Sequence, residues 1–235
     1  MSLKDKLEKE VRRIFSENWT TREGKQVPSP EDIALEKNDA VHFERATVLY
    51  ADLSGSTALV DTREWWFSAE IYRAYLRCAA DVIRSEGGTV TAYDGDRVMG
   101  VFIGGSQTTC AARCGLKINY AVTKIVNPEL KKQYPNENYV VKQVVGIDTT
   151  ETRVARTGVR GDNDLVWVGK AANYAAKLTD LSMSEKTFVT DRAFSRMHND
   201  VKYGGDPERN MWTGYKWAQK DNMQIYGSTW WWSFS

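Results

Sequence analysis

The stretch Thr89–Phe102, TVTAYDGDRVMGVF, limits what this chain can fold into more than any other. Two runs of β-branched and apolar residues, Thr89–Tyr93 and Arg97–Phe102, flank Asp94-Gly95-Asp96. Asp-Gly between such runs marks a β-hairpin, because glycine enters the positive-φ conformations of tight turns without a Cβ clash. A second strand stands at Ala46–Thr57, ATVLYADLSGST, where Ala46, Val48 and Tyr50 alternate with Thr47, Leu49 and Ala51. It delivers Asp52 and then breaks into a small-residue loop, Leu53-Ser54-Gly55-Ser56-Thr57. An acid at a strand end followed by such a loop suits a metal ion and a phosphate chain, since the ion needs hard oxygen ligands and the loop offers backbone N–H groups. Asp94 serves the turn, while Asp96 opens the returning strand and can stand beside Asp52 on a neighbouring one. Two converging carboxylates with no obvious basic partner form a divalent-metal site by charge alone. Taken singly, each acid reads as well as a charged strand end beside a turn.

The remaining pattern fills in around these segments. Ser2–Glu17 carries Leu3, Leu7, Val11, Ile14 and Phe15 at helical spacing, an apolar stripe that needs a partner in its own domain or in a second subunit. Asn18–Asn38, with Gly24, Pro28 and Pro30, reads as a linker. Asp61–Ser85 is expected to be one long helix closed by Gly87-Gly88. Its Tyr72-Arg73-Ala74-Tyr75-Leu76-Arg77 run reads as a core stripe with solvated arginines, or as an aromatic or arginine reaching a ligand. A helix over about 107–126 follows, then strands at Tyr139–Asp148, Glu151–Thr157 and Leu165–Val168. Lys170–Leu178 is helical, Thr187–Thr190 a strand and Asp191–Met197 a short helix. The end is strand-like, with Trp230-Trp231-Trp232 expected to pack into the domain or a dimer. This order gives an α+β, ferredoxin-like core with helices on one face of an antiparallel sheet.

Asp52 in LYADLSGST and Asp96 in AYDGDRVMGVF, separated by a helix, resemble the two metal-binding segments of class III nucleotide cyclases. A third segment, Val166–Leu178, VWVGKAANYAAKL, is similar to that family's W-G-x-x-V-N-x-A-x-R pattern. The resemblance runs from about Arg45 to Tyr226 and implies an N-terminal helix and linker over 1–44 before a catalytic domain over 45–235. It implies a nucleoside triphosphate substrate and two divalent cations, Mn²⁺ or Mg²⁺, held by Asp52, Asp96 and the Leu53 carbonyl. The β- and γ-phosphates would rest on Ser54, Gly55, Ser56 and Thr57. Asn173 would orient the ribose. Lys177, where the family has arginine, would stabilise charge on the transferring phosphate, with the fork of an arginine lost. A family lysine for the terminal phosphate has two counterparts in reach, Lys216 and Lys220. The resemblance further implies a head-to-tail homodimer with composite sites.

Purine cyclases choose their base with polar residues at positions held here by Ala92 and Val166, neither of which exchanges a directional hydrogen bond with a purine edge. Tyr50, two residues before Asp52, shares its strand face and takes up room that a smaller base leaves free. Arg97 is another residue to reach substrate, although strand alternation counted from Asp96 points it away. The resemblance is therefore closest to the pyrimidine cyclases of bacterial Pycsar antiphage systems, which make cyclic UMP or cyclic CMP for a separate effector. The alternatives are a purine cyclase with relocated base selectors and a non-catalytic cyclase-homology module that binds nucleotide.

Charge and composition exclude other classes. The 235 residues carry a formal net charge of +1 with no block of one sign, which argues against nucleic acid or an anionic membrane as main partner. No apolar run approaches a bilayer span, and MSLKDKLEKEVRR is no signal peptide. Three cysteines, Cys78, Cys110 and Cys114, form no disulfide framework and read as thiols of a reducing cytoplasm.

Overall fold

The computed structural model describes residues 1–234. In chain order its elements begin α1 (Leu3–Ser16), β1 (Thr20–Glu23), β2 (Asp39–Ser54), α2 (Ser56–Thr62), α3 (Trp65–Ser85), β3 (Thr89–Asp94) and β4 (Arg97–Phe102). Next come α4 (Gln107–Tyr120), a π-helical turn (Ala121–Val126), α5 (Asn127–Gln133), β5 (Lys142–Val159), β6 (Asp162–Gly169) and α6 (Lys170–Leu178). The chain closes with β7 (Thr187–Thr190), α7 (Asp191–Arg196), the two-residue strands β8 (Tyr203–Gly204) and β9 (Arg209–Asn210), then β10 (Thr213–Trp217) and β11 (Met223–Ser228). Two compact units divide it: Met1–Arg45 with Glu151–Gly169, and Ala46–Thr150 with Lys170–Ser235. Strands β2 and β5 each run through both.

The larger unit is built on strands in the order β10-β11-β7-β5-β2-β4-β3. Pairing is antiparallel between β10 and β11, β11 and β7, β2 and β4, and β4 and β3, and parallel between β5 and β7. Strand alternation sends Leu49, Ala51, Leu53, Val98, Phe102, Val145 and Ile147 to one face, where α3, α4 and α7 cover them with Ile71, Tyr75, Ala79, Ile83, Ala111, Leu116 and Ala193. The same alternation sends Val144 and Phe188 to the other face, against Leu178 of α6. That contact is close: a Cβ on Gly146 would lie 2.1 Å from the Ala175 carbonyl oxygen, so only glycine lets α6 lie on β5. The expected helical layer is present, and α6 is added on the opposite face.

Several element boundaries differ from those expected, each for a local reason. The expected helix over 61–85 is two helices, because Arg63 turns extended (φ −127°, ψ 159°) and its guanidinium is held 2.9 Å from Glu137. The loop expected through Thr57 ends sooner: Gly55 takes φ +79° and α2 begins at Ser56. The helix expected to stop near Val126 passes through the π turn into α5. Strands expected to be separate at 139–148 and 151–157 are one strand, β5. Trp230–Trp232 lies beyond β11 rather than in a strand. There the Asn119 amide donates to the carbonyls of Thr229 and Trp230 (3.1 and 2.9 Å), and Trp231 meets the Tyr120 ring at 5.3 Å.

In the smaller unit, the segment expected to be a linker contains β1, which pairs in parallel with β2 from Thr20↔Asp39 to Glu23↔His42. Cross-strand charge holds it there: Arg22 meets Asp39 at 2.9 Å, and His42 lies between Glu23 (2.6 Å) and Glu151 (3.0 Å). Helix α1 forms as expected with a Ser2 capping box, and none of its residues is buried. Among the described residues no helix is long and apolar enough to cross a membrane.

Candidate active site

Register places the acid-bearing strand ends side by side. Asp52 pairs with Arg97 and Tyr50 with Met99 across β2 and β4, while Met99 pairs with Ala92 and Arg97 with Asp94 across β4 and β3. Directly paired residues share a face. One face of the sheet therefore carries two adjacent rows, Asp52–Arg97–Asp94 and Tyr50–Met99–Ala92. Asp96 sits in the turn rather than in the strand, next to Gly95 with φ +60°. Arg97 does not point away from the site, as alternation from Asp96 implied. It donates through Nη2 to Asp94 at 2.7 Å, and its guanidinium lies 5.8 Å from the Tyr50 ring centroid. Burial first and then the nearby Asp96 charge push the Asp52 carboxyl up, Arg97 opposes both, and the net result is about 6.

Beyond Asp52 the chain runs through buried Leu53 and half-buried Ser54 to Gly55. Its left-handed turn leads Ser56 and Thr57 into the first turn of α2, where backbone N–H groups have no intrahelical acceptor. The Tyr72 hydroxyl of α3 bonds the Ser56 side chain and feels the Asp96 charge. Thr179, just after α6, donates its hydroxyl to the Ala176 carbonyl at 2.7 Å and lies beside Asp52, whose pKa it lowers.

Asn173 and Lys177 are exposed, one turn apart on α6. Lys177 lies beside Lys220, and the closeness of the two like-charged ammonium groups lowers its pKa. Lys220 sits in the turn after β10, whereas Lys216 is exposed on β10 opposite Gln224. The groups that shift Lys177 are Lys220, Tyr174 and Asp180, while those that shift Asp52 include Asp96, Arg97 and Thr179. The two sets share no member. Val166 belongs to the smaller unit, on β6 opposite Ala155, and is 40% exposed.

No protein-family model matches the sequence. Known proteins do. A uridylate cyclase of Burkholderia cepacia is 50% identical over 235 residues, 99% of this chain and 100% of its own. Another from Xanthomonas perforans is 47% identical over 232 residues, 99% of each chain, and one from Rhodovulum sp. is 35% identical over 98% of each. This chain belongs to the uridylate cyclase family. The fold agrees: the adenylyl cyclase CyaB of P. aeruginosa matches with a TM-score of 0.68 at 21% identity, over 80% of this chain and 95% of that one. A guanylyl cyclase crystal structure matches at 0.66 and 20% identity, over 80% and 92%. The fold is that of a class III cyclase and the protein is a nucleotide cyclase.

The donor set of the cyclase fits a pair of hard divalent cations. Asp52 and Asp96 lie close enough for their charges to interact, and among the described residues no group of three His, Cys, Asp or Glu side chains forms a metal site, so a hard divalent cation held by the two acids would draw its other ligands from carbonyl, phosphate or water oxygens. The mutual repulsion expressed at Asp52 is what bound cations would relieve. Thr179 and the Tyr72–Ser56 bond escaped the sequence reading of the cyclase because both depend on how helices lie over the loop, which no local spacing encodes. Tyr72 had a signal in its tyrosine- and arginine-rich run. Thr179 had none.

Proposed function

We propose that this cyclase converts UTP to the 3′,5′-cyclic monophosphate and pyrophosphate. The observation carrying this reading is the shared face on which Tyr50 and Arg97 lie beside Asp52. Tyr50 narrows the base site toward a single ring. Arg97 has N–H donors only, which match the O4 acceptor of uracil and clash with the N4 donor of cytosine. Ala92, in the Tyr50 row, offers a purine no polar partner. The names of the relatives support the same base.

In this reading Asp52, Asp96 and the Leu53 carbonyl hold two divalent cations, which when bound acidify the 3′-hydroxyl and neutralise the leaving pyrophosphate. Backbone N–H groups of Ser54–Thr57 receive the β- and γ-phosphates. Asn173 orients the ribose, and Lys177 with Lys220 stabilises charge as the 3′-oxygen attacks the α-phosphorus and pyrophosphate departs. Lys220 rather than Lys216 is assigned to the terminal phosphate because it lies beside Lys177. A head-to-tail homodimer, in which each site takes its metal half from one chain and its Asn173–Lys177 half from the other, is what the resemblance implies. Residues 45–235 carry the catalysis in the cytoplasm, and the cyclic nucleotide serves antiphage defence through a separate effector, as the resemblance implies.

Incubating the purified protein with each of the four triphosphates and Mn²⁺ or Mg²⁺, and identifying products by mass, tests the reading. Cyclic UMP is expected, and Asp52→Ala abolishes it. Cyclic CMP as main product would overturn the role given to Arg97, and cyclic AMP or cyclic GMP that given to Tyr50.

A further inference from the structure

The half-site on α6 contains a ring that substrate does not need for any step described so far. Tyr174, next to Asn173, is half-buried with its edge toward Trp217 (centroids 6.0 Å apart, planes at 79°). Two cations attend this ring: the Arg192 guanidinium at 4.9 Å from its centroid and the Lys220 ammonium at 5.3 Å. Arg192 is held from behind. Its Nε donates to Asp148 Oδ1 at 2.7 Å and its Nη2 to Asp148 Oδ2. Asp148 is fully buried and also accepts from the Thr190 hydroxyl. The charge of Arg192 is thereby matched by a carboxylate, and the guanidinium acts as a fixed plate against the ring. Lys220 is different: its neighbour is the like-charged Lys177.

Two ammonium groups side by side repel and part unless something attracts them to one place. The negative face of an aromatic ring does so without neutralising them, which leaves both charges available to an incoming anion. We propose that Tyr174 is a positioning residue that stores Lys220 beside Lys177, so that the pair meets the substrate triphosphate already assembled. The Asp148–Arg192 pair fixes the ring, and the ring fixes Lys220. This inference rests on the assignment of Lys177 and Lys220 to the substrate phosphates. It explains how Lys177, which stands where the family pattern has an arginine with a rigid fork, and the flexible Lys220 beside it are held ready together.

The ring variants carry the test, because removing Arg192 leaves Asp148 buried without its partner and weakens the fold for an unrelated reason. Pyrophosphate binding is measured by calorimetry in EDTA, so that the metal half is silent, on wild type, Tyr174→Phe, Tyr174→Leu, Lys220→Met and the Tyr174→Leu/Lys220→Met double variant. Thermal melting confirms that each is folded. Tyr174→Phe keeps the ring and is expected to bind within about twofold of wild type, whereas loss of the ring in Tyr174→Leu weakens binding about fivefold, the scale of one exposed cation–π contact. In the Lys220→Met background the Tyr174→Leu change is expected to have no further effect, since the ring acts through that lysine. Equal binding by Tyr174→Leu and wild type, equal losses in Tyr174→Phe and Tyr174→Leu, or multiplying losses in the double variant would each overturn the proposal. The readout does not depend on which triphosphate is cyclised. If wild type binds no pyrophosphate, the phosphate assignment of the lysines fails and the role of the ring fails with it. If wild type binds and only the ring dependence is missing, the assignment stands and the role of the ring falls.

Discussion

Replacing Asp52 with asparagine removes a charge that burial and Asp96 make costly in the metal-free fold, so the variant is expected to melt higher than the wild type in EDTA. The carboxyl rises from 3.8 to about 6, chiefly through burial and then through Asp96. At about 1.4 kcal/mol per pKa unit, that rise amounts to roughly 3 kcal/mol. Asp52 is partly solvated, which reduces the figure to about 1.5 kcal/mol. For a chain of this length each kcal/mol moves the midpoint by about 2–4 °C, so the expected gain is about 3–6 °C. The sign follows from the raised folded pKa. The wild-type penalty is absent below about 3.8, grows as pH rises and is complete above about 6. The gap between Asp52→Asn and wild type is therefore widest near pH 8 and narrows toward pH 4.5. Adding Mn²⁺ reverses the order, because only the wild type keeps both carboxylates to hold it. Scanning fluorimetry across pH, with EDTA and with Mn²⁺, reads all three effects. A variant that melts at or below wild type in EDTA at pH 8, or a gap that does not narrow on acidification, refutes this account of the site.

Two further outcomes are expected. Tyr50→Ala opens the base site, so its preference for UTP over ATP and GTP should drop by about tenfold or more in competition assays, and an unchanged ratio would count against the steric role. Glu23 chiefly, and also Glu151, raise the pKa of His42; its contribution to stability is complete below about pH 6.5, the unfolded value, and is lost as pH rises through the higher folded value. His42→Gln should consequently melt about 2 °C lower than wild type at pH 6 and level with it at pH 9, the small scale of an exposed ion pair.

Much of the fold is legible in the sequence because its signals are local. The Asp-Gly turn sets β3 and β4, and Lys170–Leu178 and Thr187–Thr190 have the bounds their patterns predict. Where the reading fails, the deciding contact is distant in sequence or the count begins at the wrong place. Arg97 seemed to point away because alternation was counted from Asp96, which stands in the turn, and only pairing with Asp52 across β4 and β2 reveals its face. The helix over 61–85 looked continuous because nothing nearby shows that Glu137 will hold Arg63 in an extended conformation. Lys220 gained its place only when β10 and its turn brought it to α6, and Lys216, four residues earlier, is indistinguishable from it by composition. Tyr174 carries no signal of its own in the sequence for the same reason: its cations come from positions 192 and 220.

Because β2 runs uninterrupted through the larger unit from Ala46 to Ser54, every residue of that stretch answers to one parity. Thr47 stands on the odd count with Leu49, Ala51 and Leu53, and Val48 on the even count with Tyr50 and Asp52. Adding or deleting one residue between Thr47 and Tyr50 would turn over one end of the stretch relative to the other. Either the buried bonds of the Thr47 hydroxyl to Thr108 and Thr149 or the Tyr50–Asp52 face would be lost. A two-residue change preserves the parity of both. A change of length tolerated in this segment is consequently expected to come in even steps, unless a β-bulge absorbs the odd residue.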